Sequence, residues 1–351
     1  MHRALRPAVL TLSAAALAVT LAACGGSVTP RAQASSTPAA VSTSASPTPS
    51  AAPVDPASVH ANELGLVPVL MYHQLTDKPT SVYDRRPADF KAELEQLAAD
   101  GYVPITAADF VQGRIDIPAG KHPVVLTFDD STLSQFALGP DGDPKPGTAV
   151  AILEQFAAEH PGFTPTATFF VNNDPFTDAD GRTALGWLHD HGFDIGDHTV
   201  DHANLRQVSA AKVQQEIADN YRLITSAVPG FTPLTMALPF GAYPQDAALA
   251  HQGSSGGTSY AFKGVFLVGA GPSHSPFHVK FDPYNIPRIR SQSQAGASAA
   301  DKDFISSYYL PWLKAHPESW YTSDGDPAKV SFPKAYADVL APTYKGEANP
   351  Y

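Results

Sequence analysis

Two adjacent carboxylates, Asp129 and Asp130, close the run Val124-Val125-Leu126-Thr127-Phe128. The run is apolar and β-branched, the composition of a buried parallel strand. Side chains alternate along a strand, but the chain turns at its end, so both carboxylates can reach one mouth from different sides. Charges beside a buried strand are costly unless a cation, a proton or a hydrogen-bond donor meets them. Further along stand His198 and His202. On a helical turn an H-x3-H spacing puts two imidazoles on one face, as metal-binding pairs require. Two His and one Asp make a three-ligand set with an open position, the pattern of catalytic zinc. The other Asp is then free to act as a base toward the water that such a metal activates. Alone, an Asp pair at a strand end is more often a helix cap or a solvated turn. The conjunction carries weight because a third group, Leu238-Pro239-Phe240-Gly241, ends another apolar run.

These groups need a scaffold, and the pattern supplies one. Apolar runs at 67–72, 102–105, 124–128, 166–171, 193–196, 234–238, 261–268 and 286–289 read as strands. Between them, 87–99, 107–112, 149–159, 182–191, 209–226 and 245–251 read as helices, and 132–147 is an inserted loop rich in turn formers. Repeated βα units of this length imply a parallel sheet or barrel. In a βα barrel the functional groups sit at the C-terminal ends of strands. His73, Asp129, Asp130, His198 and Phe240 all fall at or just after such ends. His189 and His191 flank Asp190 at a helix C-terminus, where cationic side chains are favoured, and have no catalytic role.

The 351 residues fit one large domain with extensions, and a formal charge of −11 argues against a nucleic-acid partner. Residues 1–24 carry Arg3 and Arg6, an apolar run and then Leu21-Ala22-Ala23-Cys24, the order of a secretory signal. Leu-Ala-Ala-Cys resembles a bacterial lipobox. Lipidation at Cys24 and an extracytoplasmic, membrane-anchored location follow as expectations. The 25–60 stretch is Ser, Thr, Ala and Pro, too poor in apolar surface to fold, and is expected to be a disordered tether. A domain over 61–300 follows, then an aromatic-rich extension over 301–351 that is expected to pack on it. A monomer is expected.

At Thr127-Phe128-Asp129-Asp130, at His198-Thr199-Val200-Asp201-His202 and at Pro239-Phe240-Gly241, the chain resembles the polysaccharide deacetylases (NodB homology, carbohydrate esterase family 4). The resemblance spans residues 67–290. It implies an α/β fold, a distorted, incomplete (β/α) barrel, and a metal-dependent hydrolase removing N-acetyl groups from an N-acetylglucosamine-containing polysaccharide of the cell surface or wall. It also implies Asp130, His198 and His202 as ligands of one divalent ion, Zn2+ by preference, Asp129 as the general base, and the backbone N–H of Phe240 as oxyanion donor. His73 and Pro239 are expected to line the substrate pocket.

Four departures stand out. Ser131 replaces a frequent Gly. Ala237 occupies the place of an Arg that holds the base carboxylate, and Arg288 is nominated to replace it. A tryptophan-bearing fourth motif is not recognisable. The late Leu-x-x-His motif, whose His is the general acid, is also not found, leaving His274 and His278 as late candidates. Members acting on poly-N-acetylglucosamine are similar in their Pro-Arg-Ile segment, here Pro287-Arg288-Ile289. Two alternatives stay open: an O-acetyl sugar esterase with the same site, and a catalytically weak glycan-binding lipoprotein.

Overall fold

The computed structural model describes residues 54–351. The signal segment, Cys24 and the tether up to residue 53 lie outside the described residues. Eight parallel strands carry the site: β1 (Val69–Tyr72), β2 (Tyr102–Ile105), β3 (His122–Asp129), β4 (Thr168–Val171), β5 (Asp194–Asp197), β6 (Thr235–Ala237), β7 (Gly264–Ala270) and β8 (Ile286–Arg290). Seven of them close a ring in the order β1-β8-β7-β6-β5-β4-β3 and back to β1. Closure comes from the pairing of Val69 with Val125 through Tyr72 with Phe128. β2 stands outside the ring, paired to the first half of β3 at His122 to Val125. The barrel is therefore distorted and one strand short of eight, as expected.

Helices α1 (Pro87–Ala99), α3 (Ala149–Glu159), α4 (Arg182–Asp190) and α5 (Ala210–Ala227) cover the outside, and α2 (Ala107–Val111) follows β2. Thr148 and Ser209 cap α3 and α5 by accepting from backbone N–H groups three residues on. The period of two along each strand sorts the side chains. In β3, Leu126 and Phe128 face outward to Phe90 and Leu94 of α1 and Leu153 of α3. Val125 faces the other way, into a core that also holds Val69, Phe170, Ala237, Phe266 and Ile286. Asp129 shares the parity of Val125, and Arg288 that of Ile286, so both point into the barrel.

Several expectations need correction. The folded part begins before residue 61, because Pro56–Val59 form a 3-10 turn capped by Asp55. The helix expected at 245–251 is one 3-10 turn, Ala247–Ala250. The strand expected from residue 261 is two: Thr258–Ala261 returns as a hairpin on Gln252–Ser255, and β7 starts afresh at Gly264.

The C-terminal extension packs on the barrel. Trp320 and Tyr321 are buried, and the Trp320 ring stacks on His122 at 3.5 Å. Gly65 makes this approach possible, since a Cβ there would lie 2.4 Å from the Trp320 carbonyl carbon. Tyr308, Trp312 and Tyr336 are half-buried, and α6 (Ser306–Ala315) lies beside β8. No helix among the described residues is long and apolar enough to cross a membrane.

Candidate metal centre and active site

At the C-terminal end of β3 the backbone turns sharply. Asp130 and Ser131 have φ of 75° and 45°, the left-handed region, where a Gly is the unstrained choice. The turn leaves Asp129 buried in the barrel and swings Asp130 to the mouth. Ser131 keeps the turn in place, accepting a hydrogen bond at Oγ from the Asn172 N–H and at its carbonyl from the Phe176 N–H.

His198 and His202 do not lie on a helical turn, contrary to the reading of their spacing. They lie on an irregular loop in which Thr199 and His202 take φ of 64° and 51°. Side chains from neighbouring elements hold this loop. Asn172, just after β4, donates through Nδ2 to the carbonyls of His198 and Thr199 at 2.7 and 2.9 Å. Asp197 accepts from the Thr199 N–H, and the buried Glu216 of α5 accepts from the Asp201 N–H at 2.9 Å. Lys212 pairs with Glu216 at 2.8 Å.

The result is a compact donor set. Asp130 Oδ1 is 3.5 Å from His198 Nε2 and 3.6 Å from His202 Nε2. The ligand atoms of the three lie within 4.8 Å of one another, the one such group among the described residues. His198 Nδ1 donates to the Ala237 carbonyl at 2.8 Å, which leaves Nε2 as the lone-pair nitrogen. That Nε2 is buried without a hydrogen-bond partner. A buried, unpartnered imidazole nitrogen beside a carboxylate and a second imidazole fits a divalent cation. The local field agrees: burial alone lowers His198, yet the Asp129 and Asp130 carboxylates outweigh it and push it up.

Asp129 is 1% exposed and meets Arg288, which is 0% exposed. Nη1 donates to Oδ1 and Nη2 to Oδ2, both at 2.7 Å, a two-pronged pairing. The guanidinium is itself fixed, Nε donating to the Leu267 carbonyl at 2.6 Å and Nη1 to Thr127 Oγ1 at 3.2 Å. Burial pushes the Asp129 carboxyl up, but the Arg288 and His198 charges prevail and hold it well below the usual carboxylate range. Ala237 serves through its carbonyl alone. Arg290, two residues on, turns instead to Gln292 and Asp301 at the rim.

His73 directly follows β1 and faces Asp129, with 3.8 Å between Nε2 and Oδ2. Burial lowers its pKa, against the pull of the Asp129 carboxylate. Its ring packs 4.9 Å from Tyr83. Gln135, from the inserted loop, donates through Nε2 to the carbonyls of His73 and Asp129 and so ties β1 to β3. Phe240 is 62% exposed at the mouth, edge-on to His202 at 4.6 Å, with φ of 59°. No partner among the described residues takes its N–H.

A cavity of about 330 Å3 joins these groups, lined by the two Asp, by His73, His198 and His202, and by Tyr83, Leu238, Phe240 and Val268. Pro239 is buried and does not line it, because the proline begins the turn that lifts Phe240 outward. His274 and His278 stack on each other at 4.2 Å and line a separate cavity with Asn62 and Glu318. Neither reaches the metal centre. Sequence reasoning missed Tyr83, Gln135, Asn172 and Glu216. Only Asn172 had a signal, a polar residue directly after a buried strand.

Residues 116–254 match the family model described as polysaccharide deacetylase. The segment contains Asp129, Asp130, His198, His202 and Phe240, whereas His73 and Arg288 fall outside it. Among curated proteins the chain is similar to the putative polysaccharide deacetylase YxkH of Bacillus subtilis (strain 168), 22% identical over 186 residues, or 51% of this chain. The match spans 58% of that protein's length. Among solved structures the chain is similar to the Streptococcus pyogenes deacetylase PplD in complex with acetate, with a TM-score of 0.49, 20% identity, and coverage of 65% of this chain and 92% of that one. It is also similar to IcaB from Ammonifex degensii, with a TM-score of 0.47, 18% identity, and coverage of 72% and 96%. Residues 116–254, which carry the Asp-Asp pair and the H-x3-H loop, are thus the part of the chain that matches the polysaccharide deacetylase family model.

Proposed function

We propose that the protein hydrolyses the acetamido groups of an N-acetylglucosamine-containing polysaccharide of the cell surface. The observation that carries this is the pairing of a buried, ionised Asp129 with Arg288, directly beside the Asp130, His198 and His202 donor set. Asp130, His198 and His202 would hold a divalent ion, zinc by the ligand set, and such an ion would supply Lewis acidity toward water and the amide carbonyl. The chain's own groups do the rest. Asp129 takes a proton from the attacking water, and Arg288 engages both its oxygens so that it stays oriented and does not become a fourth ligand. The Phe240 N–H donates to the carbonyl oxygen as it gains charge. The leaving nitrogen takes up the proton that Asp129 drew from the water as the C–N bond breaks, with His73, 3.8 Å from Asp129, lining the cavity at that point. Acetate and the free amine are the products.

The protein is further read as extracytoplasmic and held to the membrane through a lipid on Cys24. The sequence order of residues 1–24 supports that reading.

The test is acetate release from chito-oligosaccharides. Release that stops on chelation and returns with a divalent ion, together with an Asp129→Asn protein that binds metal and turns over at least about 100-fold more slowly, is the expected result. Turnover of O-acetyl sugars alone, or an unimpaired Asp129→Asn protein, refutes the proposal.

A further inference from the structure

The cavity that His274 and His278 line measures about 300 Å3. It lies at the end of the barrel where β1 begins, away from the metal centre: the short strand Leu66–Val67, just ahead of β1, pairs antiparallel with Ser273–His274. Three stretches distant in sequence make its walls. Asn62, Leu64 and Leu66 come from the N-terminal segment, and the two histidines from the connection between β7 and β8. Glu318, Tyr336 and Val339 come from the C-terminal extension. The stretches are bonded to one another. The Val279 N–H donates to the Val339 carbonyl at 2.8 Å, and the Ser275 and Tyr321 N–H groups donate to the Gly65 and Leu66 carbonyls, both at 3.1 Å. A cavity so walled is largely pre-formed, as binding sites for small ligands are.

Two polar groups on its walls have fixed roles. Asn62 is 5% exposed. Its Nδ2 donates to the Glu318 and Trp320 carbonyls at 3.0 and 3.5 Å, which leaves Oδ1 as the acceptor, and that oxygen is buried with no hydrogen-bond partner. A buried amide oxygen of this kind calls for a donor. His278 Nδ1 accepts from the Lys280 N–H at 2.9 Å, so the imidazole proton sits on Nε2 and makes it a donor. The same tautomer leaves His278 no lone pair for a metal. Both rings are neutral at pH 7: burial and the Lys280 charge lower His274, and burial, His274 and Lys280 push His278 down to about 4.

These groups select the ligand. It has to give a hydrogen bond to Asn62 Oδ1 and take one from His278 Nε2–H. A carboxylate has no donor to give, and an ammonium group has no acceptor, whereas a carboxamide carries both on one carbon. Leu64, Leu66, Val339 and the Tyr336 ring suit an apolar body behind it. Glu318 is the one carboxylate on the lining and is exposed to solvent, and the Lys280 ammonium acts on both imidazoles from nearby. The space is far larger than a single bridging water needs. We propose that the cavity is a binding site for an uncharged carboxamide with an apolar body, its N–H donating to Asn62 Oδ1 and its carbonyl accepting from His278 Nε2–H. The occupant touches all three stretches and so clamps the C-terminal extension to the barrel. The site is independent of the deacetylase reading.

Benzamide is the probe, and acetophenone, with a methyl group in place of the amide nitrogen, is the comparison. In calorimetric titrations of the metal-loaded full chain, benzamide is expected to saturate one site with a Kd of about 1 mM or tighter, and acetophenone to bind at least about tenfold more weakly. Asn62→Leu removes the acceptor and should weaken benzamide at least about tenfold. Because Asn62 also holds the extension, a second variant guards the result. Val339→Trp fills the cavity, leaves the Asn62 and His278 hydrogen bonds in place, and should weaken benzamide likewise. Saturating benzamide should slow proteolysis of the extension at least about twofold. No saturable binding by the wild type, equal affinity for the two probes, or an affinity that Val339→Trp does not alter overturns the site. An unchanged rate of proteolysis at saturation refutes the clamping.

Discussion

Glu63 offers a test of how the ends of the barrel domain are joined. It is 2% exposed and lies where the N-terminal segment meets the C-terminal extension. Oε2 accepts from the Ser331 N–H at 2.7 Å, and Oε1 from the Tyr321 hydroxyl at 3.2 Å. Burial pushes its carboxyl up to about 8, the Ser331 N–H opposes this, and the nearby Asp324 carboxylate adds to it. The ordinary value, 4.5, describes the unfolded chain. Between the two values the folded state binds more protons, so this contribution to stability is full below pH 4.5 and is lost as pH rises through about 8. At about 1.4 kcal/mol per unit, the whole span is about 5 kcal/mol. Glu63→Gln is a neutral isostere of the protonated acid: its oxygen can accept from Ser331 while its amide donates to the Tyr321 oxygen. In chemical denaturation the variant and the wild type should be of similar stability near pH 5, and the variant more stable by about 3–5 kcal/mol near pH 9. Curves of stability against pH that run parallel for the two proteins would refute the reasoning.

Other outcomes follow from the site. Arg288→Lys keeps a charge but loses the two-pronged grip, so kcat should fall by about 10- to 100-fold while metal content, measured by atomic spectroscopy, stays at the wild-type level. An unimpaired variant removes Arg288 from the mechanism. Glu216→Ala frees the Asp201 N–H and should weaken metal binding by about 10- to 100-fold in a competition titration. Glu216→Gln, which keeps an acceptor there, should weaken it far less, and equal losses would show that the loop needs only a filled space. Cys24→Ser should move the protein from the membrane fraction to the soluble one after cell lysis. A variant that still sediments with membranes excludes a lipid on Cys24 as the anchor.

The groups that do chemistry were legible because they sit at strand ends, and strand ends announce themselves. Val124 to Phe128 can hardly be anything but a buried strand, so Asp129 had to stand at its mouth. Arg288 could be named because few arginines follow the third motif within an apolar segment, and period-two parity then aims it inward with Ile286. The supports of the site left no comparable mark. Thr199 and His202 adopt left-handed φ without a glycine to signal it, so their spacing read as a helical turn. The strain is compensated by Asn172 and Glu216, which come from other elements and meet the loop only in the folded chain. Glu63 reads as an ordinary surface acid, since its burial depends on a strand more than 260 residues away. The place of Tyr83 depends on how a loop folds back, which neither periodicity nor propensity encodes.

The closed ring also dictates an order of assembly. β1 finds one neighbour in β3, but its other neighbour, β8, emerges roughly 220 residues later, so barrel closure is a long-range and intrinsically slow step. Until then β1 and β7 each present an unpaired edge, a template for misassociation with another chain. Arg288 rides on that closing strand, and Asp129 waits for it across 159 positions. A partly folded chain can therefore assemble the histidine loop while its buried carboxylate still lacks a counter-charge. The strand that seals the barrel is also the one that equips it, which couples acquisition of a competent site to barrel closure.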